Sequence, residues 1–114
     1  MSFIGVNTTG ASGSGAIGAT GTGNANPGAP TVSLVATQNN SLVIGVGNDW
    51  DNGIARTAGA YQTIVHQYLS PTGDTYWVQS INVSMAAGTT VTINDTAPAT
   101  DRYNLSICEI LPAS

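Results

Sequence analysis

Short apolar runs of two-residue period, each broken by Gly, Pro, Asn or Asp after about 8–12 residues, constrain this chain more than any other feature, because such spacing suits strands and defeats a helical face. From Thr31, the residues Val32, Leu34 and Ala36 alternate with Thr31, Ser33 and Val35. Gln38-Asn39-Asn40-Ser41 breaks the run, and Leu42, Ile44 and Val46 alternate again. An Asn-rich connection between two such runs predicts a hairpin. Tyr61 to Leu69 is strand-like, with Ile64, His66 and Tyr68 on one face and Val65, Gln67 and Leu69 on the other. Ser70-Pro71-Thr72-Gly73-Asp74 places Pro where φ near −65° is wanted and Gly where a left-handed residue is wanted, so a type I turn closed by a Gly bulge should join it to Asp74–Ser80.

Thr89 to Asn94 is a further β-branched strand, and Asp95 to Asp101 a Pro-containing corner. The final run, Arg102 to Leu111, sets Tyr103, Leu105, Ile107, Glu109 and Leu111 on one side and Asn104, Ser106, Cys108 and Ile110 on the other. Apolar residues on both faces predict an interior strand, with Glu109 in need of a partner if it points inward. Ser2 to Val6 also reads as a short strand. Residues 10–30, rich in Gly, Ala, Ser and Thr, read as a loop or as a weak strand centred on Ala16–Thr20.

Seven or eight such strands in 114 residues make one domain, 1–114, of the all-β class: an antiparallel β-sandwich, jelly-roll-like. An immunoglobulin-like sandwich is the alternative, although the paired-cysteine and tryptophan signature is missing.

Charge excludes several functions. Only 7% of residues are charged, Lys is absent, Arg56 and Arg102 are the only cations, and the net charge is −4. Nucleic acid therefore has too few cations to meet, and a polybasic membrane anchor is ruled out. No apolar run is long enough to span a bilayer, so no membrane insertion is expected. The single cysteine, Cys108, has no internal disulfide partner and reads as a small buried hydrophobe.

Polar chemistry concentrates in Asn48-Asp49-Trp50-Asp51-Asn52. Carboxylate and amide oxygens are the hard ligands calcium prefers, which makes Asn48, Asp49, Asp51 and Asn52 candidate ligands. The spacing fails the EF-hand loop, with Gly53 at a ligand position and Ala60 at the twelfth counted from Asp49. The other reading is a tight turn in which Asp49 and Asp51 accept backbone N–H groups while Trp50 covers the end of the sandwich. Arg56 and Arg102 should each hold an acid, from among Asp49, Asp51 and Glu109. Tyr68, Tyr76 and Trp77 are candidates for a platform that stacks on a sugar ring, against cross-strand packing as the plainer role. His66, the only histidine, excludes a multi-histidine zinc site, and no Ser-His-Asp pattern or other catalytic signature exists.

Val46-Gly47-Asn48-Asp49-Trp50-Asp51-Asn52, His66-Gln67-Tyr68, Gly73-Asp74-Thr75-Tyr76-Trp77-Val78-Gln79, Asn94-Asp95-Thr96-Ala97-Pro98 and Asp101-Arg102-Tyr103-Asn104-Leu105 occur in that order. Together they resemble the C-terminal half of an uncharacterised bacterial extracellular β-sandwich module, found beside fibronectin-type-III-like domains in large secreted or surface proteins. Cys108 stands where that pattern has an aliphatic residue. The resemblance implies an extracellular or cell-surface location and further strands ahead of Phe3-Ile4-Gly5-Val6. A chain lacking those strands would have open sheet edges, to be covered by a second copy or a complementing chain.

The expectation is thus a non-enzymatic structural or adhesive module of a secreted bacterial protein that self-assembles through open strand edges. The alternative is a carbohydrate-binding module, its partner a glycan, with a structural calcium.

Overall fold

The alternating runs pair antiparallel in the computed structural model, which describes residues 1–113. Its strands are β1 (Ile17–Ala25), β2 (Thr31–Val35), β3 (Leu42–Asp49), β4 (Thr57–Ala58), β5 (Gln62–Leu69), β6 (Thr75–Ile81), β7 (Thr90–Ala97) and β8 (Tyr103–Ile110). One sheet has the order β1-β8-β3-β6-β5 and the other β2-β7-β4. The sheets face each other over Val32, Leu34, Val43, Trp77, Val91, Ile93, Leu105 and Ile107.

Pairing is nested: β1 lies against β8, β2 against β7 and β3 against β6. The chain is one antiparallel ribbon folded over on itself, which is the jelly-roll arrangement of a β-sandwich. β5 departs from it by pairing with β6 in the larger sheet. Their connection is the expected one, with the Gly73 amide bonded to the Ser70 carbonyl at 3.0 Å and Gly73 at φ 94°. β8 sits inside the sheet between β1 and β3, as its two apolar faces require.

The predicted hairpin of Thr31–Ala36 with Leu42–Val46 does not form. β2 pairs with β7 and β3 with β6 and β8, so the connection arches from one sheet to the other. The cause is Glu109, whose carboxylate accepts bonds from the Thr37 and Gln38 amides and the Ser41 hydroxyl and draws this segment over the end of the sandwich. Ser2–Val6 is likewise not a strand; it contributes one bridge, Val6 with Pro112.

β3 turns its smaller side chains inward. Val43, Gly45, Gly47 and Asp49 point to the core, and the larger Leu42, Ile44 and Val46 point out. Space decides this, because the Trp77 indole lies directly on Gly47, where a methyl group would overlap the ring. Close approach matters on the far side too: the backbone of β2 packs on Gly21 and Gly23 of β1, near the carbonyls of Ser33 and Thr31.

Replacing Gly47 with Ala should therefore cost about 1–3 kcal/mol, the range for overfilling a packed interior. Val46→Ala, on the outer face, should cost less than about 1 kcal/mol. Urea denaturation of both variants measures the difference.

Candidate functional site

Asp49 closes β3 pointing inward, and the chain then turns sharply through Trp50 to Gly53. Its Oδ1 accepts the amides of Asp51 at 2.8 Å and Asn52 at 3.2 Å, the Asx-type turn expected of this stretch. Its Oδ2 meets Arg56 Nη2 at 2.7 Å, and both side chains are wholly buried. The same nitrogen reaches the Ile54 carbonyl and the Thr75 hydroxyl, and the guanidinium lies over the Trp77 ring, 4.9 Å from its centroid. Burial alone would raise the Asp49 carboxyl, but the Asp51 amide and the Arg56 guanidinium outweigh it and hold the group below the usual range.

Asp51 points the other way, to the surface. It accepts the backbone amide of Arg102 at 2.7 Å and its Nη2 at 2.6 Å, while the Arg102 guanidinium covers the Trp50 ring at 5.5 Å. The Arg102 contacts keep the Asp51 carboxyl ionised below its ordinary value. Asn52 Nδ2 donates to Asp101 Oδ1 at 2.8 Å, and Asn48 Nδ2 to the Thr75 carbonyl at 3.2 Å. The four calcium candidates thus face different partners. Their arrangement is a fastened turn, and among the described residues no three Asp, Glu, His or Cys side chains are grouped to hold an ion.

The aromatic candidates divide. Tyr68 and Tyr76 stand opposite each other on the outer face of β5 and β6, both half exposed, and with His66, Val46 and Val78 they line a shallow groove. Trp77, one residue on, has the opposite orientation. It is buried, and its Nε1 donates to Gln79 Oε1 at 3.1 Å. Strand alternation separates Trp77 from the tyrosines.

Three further buried carboxyls, Glu109, Asp95 and Asp101, complete the polar interior. Glu109, at the other end of β8, holds no arginine. Five donors satisfy it: the Ala19, Thr37 and Gln38 amides and the Thr37 and Ser41 hydroxyls. These donors overcome the cost of burial and lower its pKa to about 2. Asp95, on β7, is buried with neither oxygen hydrogen-bonded among the described residues, and burial raises its pKa to about 6. Asp95 was not among the candidates from the sequence, although it continues the inward series Val91, Ile93. Asp101 is also raised, by burial and by the nearness of Asp49.

Fold and site together define an antiparallel jelly-roll sandwich whose ionised groups serve its own architecture. No family model and no curated protein matches the sequence. Among solved structures, the tripod of the baseplate of bacteriophage Tuc2009 is similar at a TM-score of 0.48 and 10% identity, over 97% of this chain and 72% of that one. A likeness so slight transfers nothing to this chain.

Arg56→Met should strand Asp49 as a buried charge and cost about 3–5 kcal/mol, read from urea denaturation. Glu109 and Asp95 act oppositely with pH. Glu109, lowered from 4.5 to about 2, contributes stability that is complete above about pH 4.5 and is lost as pH falls towards 2. Asp95, raised from 3.8 to about 6, leaves the fold most stable below its unfolded value and weakens it as pH rises through 6. Asp95→Asn should accordingly exceed the parent in stability above pH 6, by on the order of 3 kcal/mol, and match it in acid. Denaturation midpoints measured across the pH range check both limbs.

Proposed function

We propose that this chain is a non-enzymatic structural or adhesive module of a secreted bacterial protein, placed outside the cell or at its surface and assembling with copies of itself or with a complementing chain. One observation carries the reading: five of the six acids, Asp49, Asp51, Asp95, Asp101 and Glu109, and both arginines are buried in or bonded to the fold. Asp74, in the β5–β6 turn, is the remaining acid, and among the described residues no acid–base pair is left facing a cleft. Open strand edges favour assembly. β4 is two residues long and β1 packs the face of its glycines on the backbone of β2, whereas β5 has eight residues and no strand beyond it among the described residues. Its row of backbone groups suits strand addition, blunted by a bulge between Ile64 and His66.

The half-exposed Tyr68–Tyr76 pair favours a second reading, a carbohydrate-binding module that stacks a neutral sugar ring on the two tyrosines.

Sedimentation velocity over a wide concentration range should reveal self-association; a strictly monomeric species throughout overturns the assembly part. On a glycan array, binding that disappears in Tyr68→Ala and Tyr76→Ala favours the sugar reading instead.

A further inference from the structure

We propose that the outer face of the five-stranded sheet is a docking surface for a second copy of this chain, packed face to face about a two-fold axis. The proposal rests on the assembling-module reading above and gives the assembly a surface other than the β5 edge.

An antiparallel sheet that faces water on one side ordinarily turns polar side chains to it. This one turns out Ile17 at 48% exposure, Leu42 at 43%, Val46 at 54%, Tyr68 at 54% and Tyr76 at 48%. Ile17 stands apart on β1, where Thr20, Thr22 and Asn24 also face out beside Asn104 and Ser106 of β8, and the continuous apolar surface runs over the three adjacent strands β3, β6 and β5. An exposed apolar area of such continuity marks an interaction site.

Charge selects the partner. Asp49 and Glu109 are the only acids in these five strands, both point inward, and the strands contain no Lys or Arg. A polyanion finds only His66 to pair with, and a cationic peptide finds no acid. Two copies of a chain of net charge −4, by contrast, meet here without opposing like charges or desolvating an ion.

Size selects among neutral partners. Five strands about 4.8 Å apart, each rising about 3.3 Å per residue over seven to nine residues, present a face of roughly 600 Å². Two such faces bury roughly 1,200 Å², the lower end of specific interfaces, which corresponds to a weak, concentration-dependent dimer. A single sugar ring on Tyr68 and Tyr76 would leave the Ile17–Leu42 end of the face in water. A second copy covers the whole, because a two-fold axis sets the patch against itself.

Sedimentation velocity on the intact chain, Val46→Lys, Leu42→Lys and Thr90→Lys tests this, with thermal melts verifying that each variant is folded. Val46 and Leu42 are exposed on β3, so a lysine there adds charge without filling the core; Thr90 lies on the outer face of the other sheet. The parent should dimerise, Val46→Lys and Leu42→Lys should weaken the dimer about tenfold or more, and Thr90→Lys should leave it unchanged. As a measurement free of variants, line broadening by a soluble nitroxide should spare the Val46 and Tyr76 signals increasingly as concentration rises. Association that persists equally in Val46→Lys and Leu42→Lys overturns the proposal and leaves the assembling module standing. A parent monomeric at every concentration overturns both, and Tyr68 and Tyr76 signals shifted by a neutral oligosaccharide in that monomer assign the face to sugar.

Discussion

The ion pair of Asp49 and Arg56 holds together the end of the sandwich where strands from the larger sheet meet the chain crossing to the smaller. Removing both charges from water carries a desolvation penalty of several kcal/mol per ion, recovered only through close geometry and further bonds. The site supplies these through the Asp51 and Asn52 amides on the acid and the Thr75 hydroxyl, the Ile54 carbonyl and the Trp77 ring on the base. Recovery is incomplete, since Arg56 Nε and Nη1 and both Asp95 oxygens find no partner among the described residues. Trp77 can lie over the guanidinium only because Gly47 leaves room for its indole, and that requirement in turn sends the bulky side chains of β3 outward.

Much of this was legible in the sequence. Period-two runs and the Ser70–Asp74 turn identified β5, β6, β7 and β8, and the two-faced pattern of residues 102–111 placed β8 inside a sheet. Scarcity of cations made defined partners for Arg56 and Arg102 expected, and Asp49 and Asp51 are those partners. The failures have particular causes. Alternation in β3 is equally regular on both faces and assigns neither to the core; what turns the larger residues outward is the volume of an indole thirty residues away in the chain. The Asn-rich link at 38–41 has the composition of a hairpin turn, yet a carboxylate from the opposite end of the chain determines its path. Neither effect is local, and a local pattern cannot carry it.

The two ends of the sandwich solve the problem of buried charge differently. At Glu109, five neutral donors enclose one carboxylate, tying β1 and the β2–β3 connection to β8 without a cation. At the Asp49 end a cation is present, yet burial pushes both Asp95 and Asp101 upward, Asp101 also through the nearness of Asp49. A chain so poor in charge thus spends nearly all of it on holding its shape, and the outer surface of its larger sheet is left neutral.

The nesting of strands has a bearing on how the molecule comes into being. β8 lies at the heart of the larger sheet, pairing on one side with β1 and on the other with β3. Until residues 103–110 have left the ribosome, β1 has no strand to pair with and β3 lacks one of its two. Contacts between the extremes of the chain also place it among slow-folding topologies, since the entropy of closing long loops is lost before such pairings reward it. The nascent chain therefore waits, with its β5–β6 hairpin the most local unit available, for the last strand to complete the sheet.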